Sequence, residues 1–294
     1  MKKLLVLFIC VLLLGCNKKK EPYERGRIKK TYYQKEGNYF GKYKEFYPTG
    51  GVKEIHFYEN GMKIDSSLYF TERGNIIKKD YHNKNGSFFR KYYSKNETLK
   101  KEGCYDSLKR YLGKWKFYEG EILDQIIEYK IIKGKSYLNQ LWENDRYGKV
   151  DSLKGTYYKL DLVEDTIYLD QPIRAKAIII SDLTKKKYSS VLAVIPKYFT
   201  SNFNKDFSNL ETIVHDTIYN LNMELEYRKQ MGLDEKKNYG SIVTFGRYFE
   251  KSGNNNFRGV LVEYYDEKVA PDSLVLREHK YYFDIPVFVK DTLN

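Results

Sequence analysis

The sequence lacks an apolar run long enough to cross a bilayer. Its longest, Leu4–Leu14, has eleven residues, against the roughly 20 that a transmembrane helix needs. Histidine is scarce, at positions 56, 82, 215 and 279. No two have the i, i+4 spacing that sets a pair of imidazoles on one helix face for zinc. His56 and His82 flank successive aromatic positions and could approach each other across strands, but solvent-facing strand residues are expected and no metal site. No G-x-S-x-G element exists, so a serine nucleophile has no visible carrier. Gly50-Gly51-Val52-Lys53 invites comparison with a phosphate loop. It lacks the G-x-x-x-x-G-K-[ST] frame, Glu54 follows the lysine, and strand-like segments stand on both sides where a helix is required. Glu263, Asp266 and Glu267 could pair for acid–base work, but charged strand ends look the same. No catalytic residue and no cofactor is therefore expected. What the chain has in abundance is tyrosine (30) and phenylalanine (16), with 52 Lys/Arg against 39 Asp/Glu.

Lys2 and Lys3 followed by Leu4–Leu14 have the layout of a secretory signal. The run ends in Leu13-Leu14-Gly15-Cys16, which resembles the lipobox of bacterial lipoproteins. The resemblance implies cleavage after Gly15, diacylglyceryl on Cys16 and acylation of the new amino terminus, hence an exported, membrane-anchored chain. Several acyl chains hold far more firmly than one. Residues 1–15 read as the signal peptide and 16–24 as a lipidated tether. In proteobacterial sorting, Asp after the lipidated cysteine marks inner-membrane retention, so Asn17 favours the outer membrane. Lys18–Lys20 either touch anionic head groups or are plain solvated tether. With Cys10 removed and Cys16 acylated, Cys104 is the only thiol left. That excludes an intrachain disulfide and a cysteine zinc site. Cys104 is expected to be a buried small apolar residue.

Beyond the tether, a period of 24 residues runs through the chain. Tyr33, Phe57, Tyr81, Tyr105 and Tyr129 keep that step, as do Gly26, Gly50 and Gly74. Phe46, Phe70, Tyr118 and Trp142 keep it with one member missing, and Tyr93 stands one residue from the gap. The units GRIKKTYYQKEG, GGVKEIHFYENG and GNIIKKDYHNKNG run from a glycine through alternating residues to an aromatic and a Gly/Asn turn. Alternation and aromatic content argue strand. Asn60-Gly61 and Asn85-Gly86 are hairpin turns, because both residues tolerate positive φ. One unit is a hairpin: a strand at Lys42–Tyr47, a turn at Thr49–Gly51 and a strand at Val52–Tyr58. A hairpin cannot bury its face alone, so units must pair edge to edge. The aromatics in register then form a stripe down one side.

Gly41–Gly61 (GKYKEFYPTGGVKEIHFYENG) and Gly113–Gly134 (GKWKFYEGEILDQIIEYKIIKG) resemble the MORN repeat, in the variant found in bacterial antitoxin-like proteins. Ser66–Gly86 and Phe88–Lys109 match more loosely, with Asn96 where a turn glycine is expected. The resemblance implies a β-hairpin array, here residues 25–138, used for membrane-surface or protein contacts, and an antitoxin-like label.

Charge divides the chain. Residues 17–138 hold 28 Lys/Arg and 16 Asp/Glu, a net of +12; residues 139–294 hold 22 and 23, a net of −1. An exported basic module excludes nucleic acid as a natural partner and suggests anionic lipid, acidic glycan or an envelope protein. Lysines that keep the sheet soluble and its edges unpaired would look the same. Residues 139–160 read as a transition. Seven strand-like runs then follow, at 165–169, 174–181, 190–197, 215–221, 241–250, 257–266 and 281–289. Seven short strands suggest an immunoglobulin-like β-sandwich over residues 161–294, with one or two helical turns at Met223–Met231. The whole is all-β: a hairpin-repeat array followed by a sandwich. The leading expectation is a non-enzymatic, lipid-anchored binding or scaffold protein. An envelope carbohydrate-active hydrolase or carbohydrate-binding protein with its site in the sandwich, and an antitoxin or immunity factor, are the alternatives.

Overall fold

The computed structural model describes residues 18–291, except 165, 186–188, 224, 235 and 271–272. The stretch read as a signal peptide, residues 1–15, and Cys16 lie outside the described residues. The chain is all-β and divides into two compact units between Ile122 and Leu123.

The first unit holds nine strands: β1 (Lys18–Pro22), β2 (Ile28–Lys35), β3 (Asn38–Phe46), β4 (Val52–Glu59), β5 (Met62–Phe70), β6 (Ile76–His82), β7 (Phe88–Tyr93), β8 (Leu99–Tyr105) and β9 (Tyr111–Glu119). Each pairs antiparallel with its sequence neighbour, and sheet order equals chain order. The stretch expected as a tether is in part strand β1, in register with β2 from Lys18 opposite Tyr33 to Pro22 opposite Ile28.

Two kinds of turn build the sheet. Glu36-Gly37 and Asn60-Gly61 are two-residue turns with both residues at positive φ (50° and 84°; 48° and 78°), the twist that suits a tight hairpin. Tyr23–Arg27, Tyr47–Gly51 and Thr71–Asn75 are five-residue loops. In each, the first residue's N–H donates to the fifth's carbonyl at 2.7–2.9 Å. The fourth residue is Gly26, Gly50 or Gly74, at φ 79°, 96° and 90°. A side chain there would strain the left-handed backbone.

The period breaks in the third hairpin. Asn83–Ser87 forms a five-residue loop, so Asn85-Gly86 is not the two-residue turn that the dipeptide suggests. Strand β7 also lacks the left-handed residue that interrupts β3 at Gly41 and β5 at Asp65. The repeat loses one residue there. The next left-handed loop position is Glu97 (φ 59°), not Asn96.

The second unit contains β10 (Ile122–Ile132), β11 (Lys135–Glu143), β12 (Tyr157–Leu162), β13 (Thr166–Tyr168), β14 (Ile173–Ile180), β15 (Ser190–Pro196), β16 (His215–Tyr219), β17 (Ile242–Arg247), β18 (Gly253–Ala270) and β19 (Ser273–Lys290), with short helices at Asp182–Lys185 and Leu225–Gln230. Its sheets have the orders β12-β14-β17 and β13-β19-β18-β15-β16. All seven expected runs contain strands, and the segment read as a transition holds the end of β11 and the start of β12.

Alternating residues of both sheets meet in one core that includes Ile173, Ala177, Val191, Val243, Phe245, Phe257, Leu261 and Phe283. The other face of the five-stranded sheet is covered by Phe203, Phe207 and Ile132 against Val260, Val262 and Tyr282. The β10–β11 hairpin is latched there by Asn139. Its Nδ2 donates to the Tyr282 carbonyl at 3.0 Å, and its Oδ1 accepts from the Tyr282 N–H at 2.7 Å. A side-chain amide thus plays the part of a neighbouring strand.

Candidate binding surface on the repeat sheet

Strand alternation gives the first unit two faces, and they differ. On one, the registered row Tyr43–His56 and the row Ser67–Asp80–Arg90–Gly103 hold buried residues and the half-buried Arg90. His56, Ser67, Asp80 and Trp115 are at most 2 % exposed. Gly103 exists for Trp115: a Cβ there would stand 2.3 Å from the indole. We call this the closed face.

Its centre is a polar chain. Glu54 Oε2 is 2.8 Å from His56 Nε2, His56 Nδ1 is 2.7 Å from Ser67 Oγ, and Ser67 Oγ is 2.8 Å from His82 Nε2. A carboxylate only accepts, so His56 Nε2–H donates to Glu54 and neutral Nδ1 accepts from the Ser67 hydroxyl. His82 Nε2–H then donates to Ser67 Oγ. The order acid–imidazole–hydroxyl resembles a nucleophilic triad, yet Ser67 is fully buried, so no substrate reaches its oxygen.

Burial, then the charge of Lys63, lowers the pKa of His56 against the pull of Glu54. Burial lowers that of His82 against Asp80. Beside them Arg90 donates to both oxygens of Asp80 at 2.5 and 2.7 Å, and Tyr69 donates to Oδ2 at 3.1 Å. Lys78 lies 3.6 Å above the Tyr69 ring. Among the described residues no group of three His, Cys, Asp or Glu could hold a metal ion.

The opposite, open face repeats a simple element. In four successive hairpins a directly opposed apolar pair points outward: Tyr33/Phe40, Phe57/Ile64, Tyr81/Phe89 and Cys104/Leu112. Phe40, Ile64, Tyr81 and Leu112 are 37–44 % exposed, on a face with no second layer of its own.

Cys104 is exposed, contrary to the expectation that it is buried. Its neighbours Gly103 and Tyr105 take the closed side, and alternation turns Cys104 outward. Tyr33, Phe57 and Tyr81 therefore share the open face, whereas Tyr105, one residue out of column after the shortened third repeat, lies on the closed one. There it stacks on Phe88 at 5.0 Å and meets Trp115 edge-on at 5.0 Å. Tyr129 belongs to β10 of the second unit, opposite Leu138.

Parallel to this ladder runs a second registered row, Lys44–Ile55–Leu68–Lys79–Lys91–Glu102–Lys116. Lys79 sits directly opposite Lys91, a pairing that costs stability in a sheet. Glu102 relieves Lys91 at 3.3 Å. No carboxylate oxygen lies within 4 Å of Lys42, Lys44 or Lys79 among the described residues. Lys42 and Lys79 lie 5.8 and 4.7 Å over the rings of Phe57 and Tyr81. Residues 18–122 hold 25 Lys/Arg and 14 Asp/Glu, a net of +11.

In the second unit the three carboxylates considered for acid–base work do not converge. Glu263 is 1 % exposed and accepts from Ser181, Ser189 and Tyr281 hydroxyls at 2.5, 2.7 and 3.0 Å. Asp266 and Glu267 are exposed on the β18–β19 ribbon, Glu267 paired with Arg277 at 2.6 Å. His279, opposite Glu263, has a pKa lowered by burial.

Sequence reasoning missed the rows: the lysine row follows no single period, and only pairing register lines it up. It also missed Tyr23 and Tyr47, 24 residues apart, whose hydroxyls donate to the carbonyls of Phe46 and Phe70 at 2.7 and 2.6 Å. Compared with known proteins, the chain matches no family model and no curated sequence.

Proposed function

We propose that this is a non-enzymatic, lipid-anchored binding protein of the bacterial envelope, whose repeat sheet presents its open face to a partner. The observation that carries the reading is the contrast between the faces. One is packed shut by its own side chains; the other leaves an apolar ladder and a lysine row half-buried or exposed. The lipobox at Leu13–Cys16, read from sequence, supplies the anchor and the export, and Asn17 favours the outer membrane. The likeness to MORN units supports a contact role for the array.

The test is co-purification from detergent-solubilised envelopes with wild type and with Lys42→Glu/Lys79→Glu. Both lysines lack carboxylate partners, so the change reverses surface charge without opening a buried pair. A bound component lost with the variant is the expected result. Identical components from both would remove the open face as the binding surface.

A further inference from the structure

We infer that the open face of the repeat sheet binds a linear acidic glycan laid across the strands. This rests on the reading that the open face is the contact surface, and names its ligand.

Three observations lead there. The first is periodicity. The outward pairs recur once per hairpin, a step of two strands or about 9.5 Å. That is close to the length of one disaccharide in an extended polysaccharide. A repeating ligand meets equivalent contacts along such a ladder, whereas a lipid surface has no matching period.

The second is chemistry. Tyr33, Phe40, Phe57, Tyr81 and Phe89 set aromatic side chains along the ladder, the kind of group on which sugar rings stack. The lysine row lies two residues along the strands from Tyr81 and Phe89, about 7 Å away, within reach of a carboxylate or sulfate carried by a stacked ring. The third is charge. The Lys79–Lys91 juxtaposition and the missing carboxylates around Lys44 and Lys79 of the row and Lys42 beside Phe57 of the ladder leave a cationic face that an anionic polymer would neutralise.

Cys104 is an exposed thiol at the end of the same ladder, so its alkylation rate reports on cover of this face. The full chain, reconstituted in phosphatidylcholine nanodiscs, is treated with iodoacetamide. Additions are hyaluronan, polygalacturonate, dextran sulfate or neutral dextran, and a parallel sample uses phosphatidylglycerol nanodiscs. The peptide carrying Cys104 is followed by mass spectrometry.

The expected result is saturable protection by at least one acidic glycan and none by neutral dextran. Lys79→Gln and Tyr81→Ala should each raise the half-protecting concentration about tenfold, as loss of one charge-assisted or stacking contact does. Thermal melting of each variant checks that it is folded. Protection unchanged in both folded variants would place the glycan elsewhere and overturn the inference. Protection only by phosphatidylglycerol would overturn it too, making the face a membrane contact while leaving it a binding surface. If no addition protects Cys104, the inference fails; co-purification lost in the Lys42→Glu/Lys79→Glu variant would then still uphold the binding reading.

Discussion

The two units solve burial differently. The sandwich excludes water by setting one sheet against another, and its core is mostly aliphatic side chains and phenylalanine. Phe245, Phe257 and Phe283 meet there at centroid distances of 5.3–5.7 Å. The repeat unit is a single layer. With no opposing sheet, it closes one face by laying long side chains across it, so what it buries is rings and networked charges: Tyr43, His56, Ser67, Asp80, Phe88, Tyr105 and Trp115. Most contacts run between neighbouring strands, so stability is close to a sum of local interfaces. The difference teaches that a layer can be well packed on one side and still keep the other for a partner.

The largest effects should come from the buried centre of each unit. Phe283→Ala removes a fully buried ring from the sandwich and is expected to cost about 3–5 kcal/mol. Asp80→Ala leaves Arg90, 18 % exposed, without its bidentate partner, and a comparable loss of about 3–5 kcal/mol is expected. The comparison lies in how the loss spreads. Hydrogen exchange should show Phe283→Ala loosening the whole sandwich, and Asp80→Ala loosening chiefly β5–β8. Uniform loosening of all nine repeat strands would contradict the nearest-neighbour picture.

Two glycines sharpen the contrast. Gly103 lies under Trp115 and Gly259 under Phe283, and a Cβ at either would stand 2.3 Å from a ring carbon. Both alanine variants should destabilise, by about 1–3 kcal/mol. Phe283 is held between two sheets, whereas Trp115 is covered by side chains of its own sheet, among them Tyr92, Tyr105, Tyr111 and Lys101, and can lift with them. Gly259→Ala should therefore cost more in denaturant unfolding than Gly103→Ala. The reverse order would mean that the closed face is as rigid as a two-sheet core.

How much of this was legible in the sequence follows from the same physics. Alternation, Asn60-Gly61 and the glycines at 26, 50 and 74 fix hairpins, because turn chemistry is local. The face of each aromatic is not local. It depends on the count of residues through every preceding turn, and a slip of one flips a side chain. The unseen slip in the third hairpin misplaced Tyr105 and turned Cys104 outward. The polar chain through His56, Ser67 and His82 joins residues 11 and 15 apart, and only pairing register brings them together.

The histidines give a pH signature in which the units should differ. Folded His56 and His82 have pKa values below the ordinary value of about 6.5. In acid the unfolded chain therefore binds more protons than the folded one, and stability rises with pH through that window. Their contribution is fully present above about pH 6.5 and is lost as pH falls through the folded values. His279 has the same sign in the sandwich. Thermal melts between pH 7.5 and 5 should show the repeat unit, with two such groups on one hydroxyl, losing more. His56→Gln should flatten its slope; an unchanged slope would remove the polar chain as the acid-sensitive element.

The smallest effect tests locality most directly. Tyr23 and Tyr47 each tie one five-residue loop to the carbonyl before the next. Tyr23→Phe and Tyr47→Phe delete only the hydroxyl, and water can reach the loop edge, so each should cost about 0.5–1.5 kcal/mol. In a two-layer core, two such losses would couple through shared packing. In a single layer whose strands pack chiefly on their neighbours, the double variant should equal the sum of the singles to within about 0.5 kcal/mol. Coupling well above that in urea unfolding would show the sheet behaving as one cooperative body, and the contrast with the sandwich would then rest on the kind of residue buried rather than on the reach of its contacts.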